Sequence, residues 1–319
     1  MSPIVSRTPT LGSPIPHGRT ARRVEWPLLP PALRATIERR IGSRVVSADS
    51  AGPGFTPGFA SVLTCADGSR HFVKAASKKA QRMFADAYRE EVRKLEALPA
   101  GLPVPRLLWA LEDDLWVVLE TEYVAGEMPP RPWAPDALDA CLDALEVVAD
   151  RLTPPPMPLR PFVEEFEEFV ASWDHVRRAT PDLPHLAEAE ELASGFREAT
   201  AGQTLVHTDA RDDNFLLTAD GALLCDWNWP VAGAAWIDTV GLLISARGDG
   251  VDADDLLARR RLTRDVPTDH IDSYLALLAG YFMERREQPV PNSSPYLRVH
   301  QDWYARATWA WLSERRGWT

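Results

Sequence analysis

Cysteine is scarce in this 319-residue chain: Cys65, Cys141 and Cys225 stand apart, form no C-x-x-C pair and are odd in number. That excludes a disulfide framework and a cysteine-built zinc site, and it fits a reducing compartment. Long apolar runs are missing as well. No stretch approaches the roughly 20 apolar residues that cross a bilayer, and the N-terminal "MSPIVSRTPTLGSPIPHGRTARR" lacks the apolar centre of a secretory signal. A cytoplasmic protein without a membrane partner is the expectation. Positive charge is in deficit: 35 Lys and Arg against 46 Asp and Glu give a net charge of −11. A nucleic-acid partner, which needs clustered cations to neutralise phosphates, is not expected. Also absent are H-E-x-x-H, G-x-S-x-G, and any G-K-S or G-K-T, which argues against a zinc hydrolase, a serine hydrolase and a Walker A nucleotide site.

The hydrophobic content of 45% is enough for one large core or two modest ones, so two lobes are the natural expectation. Residues 1–30, rich in Pro, Ser and Thr, read as an arm that is mobile unless docked. A short helix starts at Pro31, with Leu33, Ile37 and Ile41 spaced for one face and Gly42 as its stop. Strand-like segments follow in "SRVVSADS", "FASVLTCADG" and "RHFVKAA", with Asp67-Gly68 as a hairpin turn. Lys78 to Leu98 contains no Pro or Gly and reads as one long helix, ended by Pro99 and Gly101. "WALEDDLWVVLETEYVAG" adds two strands around Glu112-Asp113-Asp114. Residues 31–123 therefore form a small antiparallel sheet with one long helix.

Residues 124–319 are mainly helical. The segments "PDALDACLDALEVVADRL", "RPFVEEFEEFVASWDHVRRA", "LAEAEELASGFREA", "HIDSYLALLAGYFMERR" and "PYLRVHQDWYARATWAWLSERRG" each read as a helix, with a hairpin among them. Trp303, Tyr304, Trp309 and Trp311 on the last helix are expected to face the core.

That hairpin carries the chemistry. "LVHTDARDDNFLL" (205–217) holds His207, Asp209, Asp212, Asp213 and Asn214 between apolar flanks, and "ALLCDWNWP" brings in Asp226. Unpaired buried carboxylates cost several kcal/mol or take up protons, so such a cluster implies a metal, a cation or a substrate nearby. The amide oxygen of Asn214 and the carboxylate of Asp226 suit a hard cation such as Mg2+, and Asp209 remains free to act on a proton.

These residues resemble a family. "H-T-D-A-R-D-D-N" followed by "C-D-W" is similar to the H-x-D-x-x-x-x-N and D-W or D-F-G signatures of the kinase-like phosphotransferases, in the aminoglycoside phosphotransferase and choline kinase branch. The resemblance runs from about residue 43 to the C-terminus, and it implies a bilobal α+β, protein-kinase-like fold. By it, Lys74 in "HFVK" pairs the α- and β-phosphates of ATP, or of another nucleoside triphosphate, and Glu91 is its ion-pair partner. Glu91 is chosen over Glu90 because Leu95 and Leu98 then fall at the family's spacing. Asp209 orients the acceptor hydroxyl and accepts its proton, and Asn214 and Asp226 hold Mg2+. His207 braces the loop and Asp238 caps its amides. Backbone groups near Glu122 and Val124 receive the adenine. Gly54 and Gly58 in "AGPGFTPGFAS" form the nucleotide-covering loop, one residue off the G-x-G-x-x-G register. Arg211 either steadies the transferring phosphoryl group or pairs with Asp212 or Asp213.

The implied activity is ATP-dependent transfer of a phosphoryl group to a hydroxyl of a small molecule. A protein substrate fits poorly, because only a short segment separates Asp226 from Asp238 and no A-P-E motif follows. A nucleotide-binding protein without turnover is the main rival. An aminoglycoside, another hydroxylated antibiotic, an amino sugar, and choline or homoserine all remain open as acceptors. Two acidic runs could receive an amine: Glu164, Glu165, Glu167 and Glu168, or Asp249, Asp252, Asp254 and Asp255. Both also read as solvated faces, the second as a helix N-terminus.

Overall fold

The computed structural model describes residues 10–12, 15, 20–52 and 58–318; Gly54 lies outside them. In the N-terminal lobe the elements run α1 (Pro31–Ile41), β1 (Val45–Ser50), β2 (Phe59–Cys65), β3 (Arg70–Ser77), α2 (Arg82–Ala97), β4 (Leu107–Glu112) and β5 (Trp116–Glu122). The strands form one antiparallel sheet in the order β1-β2-β3-β5-β4. Asp67 and Gly68 make the β2–β3 turn, where the Asp67 carboxylate accepts the Ser69 amide at 3.0 Å.

Strand alternation divides the sheet between two cores. Val73, Ala75 and Val118 pack with Leu33 and Ile37 of α1, whereas Ala76, Val117 and Leu119 face Ala85, Tyr88 and Leu95 of α2 and the second lobe. Each such Val or Leu contributes roughly 1.5–3 kcal/mol on burial. Lys74, between Val73 and Ala75, is turned by the same alternation toward α2. On α2, Glu91 shares the buried stripe with Tyr88 and Leu95.

The helix α2 starts later than the sequence pattern suggests. Residues 78–81 are held as a turn because the Gln81 amide donates to the Ser77 carbonyl at 2.8 Å and the Lys78 amide to Leu115 O at 2.8 Å. Within segment 1–30, Trp26 and Leu29 are buried in the α1-side core. The Leu11 amide donates to Gly248 O at 2.8 Å, and the Arg22 amide to Ser293 O at 2.8 Å.

The second lobe holds α3 (Pro135–Arg151), α4 (Phe162–Glu165), α5 (Ser172–Ala179), α6 (Leu186–Ser194), α7 (Phe196–Ala199), α8 (Ile237–Gly248), α9 (Ala253–Arg259), α10 (Thr268–Arg285) and α11 (Leu297–Arg316). Between α7 and α8 lie β6 (Thr204–Val206), the β7 (Phe215–Thr218) and β8 (Gly221–Leu224) hairpin, and β9 (Val231–Gly233), which pairs with β6. The helix expected over 160–179 is instead broken into α4, a 3-10 turn at Glu167–Ala171 and α5. That turn lets Phe169 stack on Tyr281 of α10 with ring centroids 4.0 Å apart. The segment 186–199 likewise divides at Gly195. Trp303, Tyr304 and Trp311 of α11 are buried, and Trp309 is partly so.

The lobes are joined through residues 123–126. Glu127 and Leu217 exchange backbone hydrogen bonds at 3.0 and 2.7 Å, and a Cβ on Gly126 would lie 2.7 Å from Leu217 O. Only glycine permits that approach. The bilobal α+β architecture is the one the resemblance implies. Among the described residues no helix is long and apolar enough to cross a membrane.

Candidate active site

Strand β6 delivers the chain into a tight loop that ends at β7. Asp238, in the first turn of α8, accepts the amides of His207 at 2.6 Å and Thr208 at 2.7 Å. Thr208 has φ +68°, a left-handed conformation that is costly for a β-branched residue. The two carboxylate bonds hold it there. His207 is buried, and its Nε2 lies 2.9 Å from the Cys225 carbonyl while Nδ1 accepts the Asp209 amide at 3.3 Å. Its ring meets Trp227 edge-on at 5.0 Å. Burial pulls its pKa below the ordinary value, so a neutral ring donating through Nε2 and accepting through Nδ1 satisfies every contact.

Asp209 Oδ2 accepts from Asn214 Nδ2 at 3.0 Å, and its Oδ1 lies 2.8 Å from Arg211 Nη1. Burial pushes its pKa up to about 6, against the pull of Arg211. Arg211 also forks onto Asp213, at 2.9 and 3.1 Å. Of its two readings, the carboxylate pairing with Asp213 is the one the geometry contains, and the pairing extends to Asp209.

Asp226 leaves β8 with φ +66°. Its Oδ1 accepts from Lys74 Nζ at 2.7 Å and from Asn228 Nδ2 at 2.9 Å. Lys74 Nζ also reaches both oxygens of Glu91, at 2.7 and 2.9 Å, whereas Glu90 pairs outward with Arg93. Burial would raise the Asp226 pKa, but the Lys74 charge overrides it and holds the carboxyl at about 2. Burial likewise works against the Lys74 ammonium, and Asp226 with Glu91 more than offsets it, so its pKa is raised. Burial pushes Glu91 up.

Asn214 commits its Nδ2 to Asp209, through the main-chain oxygen at 2.8 Å and through Oδ2, which leaves its amide oxygen as the acceptor it can offer. With the ionised Asp226 this is an all-oxygen donor pair of the kind Mg2+ takes. Among the described residues no three His, Cys, Asp or Glu side chains gather as a metal centre.

Two cavities meet at Asp226. The larger, about 400 Å³, lies under the sheet and is lined by Val62, Lys74, Glu122, Val124, Asn214 and Leu216, among others. Ala51 and Ala60 also belong to its wall. Gly58 packs on Tyr88, where an added Cβ would lie 2.6 Å from the hydroxyl. The smaller cavity, about 330 Å³, lies between the 207–214 loop and the helices of the second lobe, with Asp209 and Arg211 on its wall. Of the acidic runs, only Glu165 lines it, and Glu165 pairs with Arg160 at 2.8 Å. Glu164, Glu167 and Glu168 are exposed. Asp249 is tied to Arg131 at 2.6 Å, Asp252 caps α9, and Asp254 and Asp255 pair with Arg315 and Arg259.

Several site residues have no separate mark in the sequence reading. Asn228 steadies Asp226, and its carbonyl accepts from buried Lys94 of α2 at 2.7 Å. Arg131 reaches Asp212 at 3.0 Å as well as Asp249. Arg23 of the N-terminal segment lines the larger cavity. Asn228 lies two residues after Asp226 in "CDWNWP", whereas Arg131 and Arg23 lie in no motif.

Fold and site together define a small-molecule kinase. The family model of the phosphotransferase enzyme family matches residues 61–270, and the chain belongs to that family. No curated protein matches the sequence. Among solved structures, the chain is similar to the choline kinase LicA from Streptococcus pneumoniae, at 15% identity over 89% of this chain and 99% of that one, with a TM-score of 0.61. It is similar also to a thermostable mutant of the aminoglycoside phosphotransferase APH(4)-Ia in ternary complex with AMP-PNP and hygromycin B, at 13% identity over 87% and 99% of the two chains, with a TM-score of 0.59. A third is the spectinomycin phosphotransferase APH(9)-Ia with ADP and spectinomycin, at 11% identity over 89% and 98%, with a TM-score of 0.56. At these identities the likeness is one of fold.

Proposed function

We propose that the chain transfers the γ-phosphoryl group of ATP to a hydroxyl of a small molecule, with Asp209 as the base. The carrying observation is the meeting of the two cavities at Asp226: the larger presents Lys74 and Asn214, the smaller presents Asp209. In this reading the nucleotide lies in the larger cavity with its base near Glu122 and Val124. Lys74, fixed by Glu91, meets the phosphates, and the acceptor occupies the smaller cavity. Asp209 receives the hydroxyl proton as the acceptor oxygen bonds to phosphorus and the bond to the leaving diphosphate breaks. Asn214 and Asp226 would hold Mg2+, which supplies charge neutralisation at the phosphates. AMP-PNP and ADP in the related structures support the nucleotide assignment. Arg211, already shared between Asp209 and Asp213, braces the base; the geometry supports this role better than contact with the phosphoryl group.

Asp209→Ala tests the reading. Transfer is expected to fall by at least 10²-fold, the lower range for a positioned base, while nucleotide affinity by calorimetry stays within about twofold. A loss of nucleotide binding as large as the loss of transfer would contradict the role.

A further inference from the structure

The smaller cavity has a chemical character that narrows the acceptor. Its wall carries a continuous run of rings. Phe166 meets Phe169 edge-on at 5.0 Å, Phe169 stacks on Tyr281 at 4.0 Å, Tyr281 meets Phe282 at 5.2 Å, and Phe282 meets Tyr304 at 5.2 Å. The rings come from three places in the chain: the broken helix at 162–171, the end of α10, and α11. Trp229, 53% exposed, adds a further face to the lining. His300, which also lines the cavity, is kept uncharged by its burial, with a pKa pulled down to about 3.

The carboxylates of this wall are already engaged. Asp209 is paired with Arg211, Asp226 with Lys74, and Glu165 with Arg160, and Asp238 accepts two amides. A polyamine entering here would bring several ammonium groups out of water, and each needs a carboxylate free to receive it. Among the described residues the cavity offers none without an existing partner. An apolar ring system, in contrast, is favoured by the area it buries against such a wall, and one cation can be held over a ring face. The Tyr304 hydroxyl is buried and makes no hydrogen bond, and its residue belongs to the lining.

We propose that the acceptor is a ring-bearing, predominantly apolar alcohol with no more than one cationic group, laid against Phe166, Phe169, Tyr281 and Phe282 with its hydroxyl at Asp209. The inference rests on the reading of Asp209 as the base that faces the acceptor. It differs from a polyamine acceptor: the lining carries Glu165, Asp209, Asp226 and Asp238 against Arg211, but each of these carboxylates is already held by a cation or by backbone amides.

Calorimetry on the full chain with AMP-PNP and Mg2+ present separates the two layers. The probes are a macrolide with a single amine, an aryl glycoside without one, and hygromycin B as the polyamine, each followed by an assay of ADP release with ATP. We expect the macrolide or the aryl glycoside to bind with a negative heat-capacity change and hygromycin B at least tenfold more weakly. Phe169→Ala, and separately the milder Phe169→Leu, should raise the KM for the bound probe, about tenfold and severalfold respectively, with kcat and nucleotide affinity held. Tight hygromycin B binding with weak binding of both apolar probes overturns the proposal, as does failure of all three to bind. So does an unchanged KM in both Phe169 variants. Phe169-dependent binding without ADP release leaves the acceptor class standing and refutes instead the assignment of Asp209.

Discussion

Asp238 sets the start of the 207–214 loop through two short bonds, and its removal has a calculable cost. In Asp238→Ala the His207 and Thr208 amides both lose their acceptor. A buried amide left unpaired costs about 1–3 kcal/mol, so the pair costs about 2–6 kcal/mol, reduced by any water that enters the space vacated by the carboxylate. A loss of about 2–4 kcal/mol is expected in urea denaturation. Asp238→Asn retains one acceptor oxygen but turns an NH2 group toward the other amide, and it should lose about half as much. The functional effect is larger than the stability loss suggests. Thr208 is held at φ +68° next to Asp209, and a base displaced by about 1 Å can lose on the order of 10²-fold in rate. Steady-state kinetics should therefore give kcat lowered by 10- to 100-fold in Asp238→Ala with the KM for ATP nearly unchanged. If Asp238→Ala unfolded within about 0.5 kcal/mol of the parent and kept its kcat, the carboxylate would not be what fixes the loop.

Asp226→Asn should weaken binding of the Mg2+–nucleotide complex by tenfold or more without weakening metal-free nucleotide, which calorimetry with and without EDTA resolves; a weakening of both would reject Asp226 as a metal ligand. Gly126→Ala places a Cβ 2.7 Å from Leu217 O, and a loss of about 1–3 kcal/mol, the usual range for overpacking, should appear in thermal unfolding. For His300 the folded pKa of about 3 lies below the ordinary value of 6.5, so its neutral form contributes stability that is full above pH 6.5 and is lost as pH falls toward 3. Between pH 7 and pH 5 this amounts to about 2 kcal/mol by linkage, and His300→Phe should unfold with a shallower acid dependence by that amount; an unchanged slope would contradict it.

Lys74 and Glu91 were legible through the resemblance, and local periodicity accounts for the direction of their side chains. Alternation in "HFVKAA" turns Lys74 away from the face of Val73 and Ala75, and the spacing of Tyr88, Glu91 and Leu95 puts a carboxylate on an otherwise apolar helical stripe. The resemblance distinguishes Glu91 from Glu90 by the family's spacing to Leu95 and Leu98, and Glu91 lies 2.7 Å from Lys74 Nζ. The acceptor side was not legible, because its wall is assembled across long separations in the chain. Nothing in "FVEEFEEF" foretells that a 3-10 turn replaces a regular helix and carries Phe169 to Tyr281, and nothing near Arg131 points to Asp249 or Asp212. Of the partners of the acidic runs, Arg259 is four residues from Asp255 on the same helix, whereas Arg131 and Arg315 become apparent only once the helices pack.

The charges around Asp226 explain why the two nucleotide measurements should diverge. Lys74 is divided between Glu91 and Asp226, and Arg211 between Asp209 and Asp213, so each of these cations serves two carboxylates. Arg23 and Arg70 also stand on the cavity wall, but beside Asp226 a bare triphosphate would meet a lysine already shared between two carboxylates. A divalent ion arriving with the phosphates reverses that balance, because Asp226, ionised at all but the lowest pH, can take it up without first releasing a proton. Loss of the Asp226 charge should therefore ease the entry of metal-free nucleotide while weakening the metal-loaded form. If the carboxylate served only to anchor Lys74, removing it would instead disturb the lysine and change both affinities in the same direction.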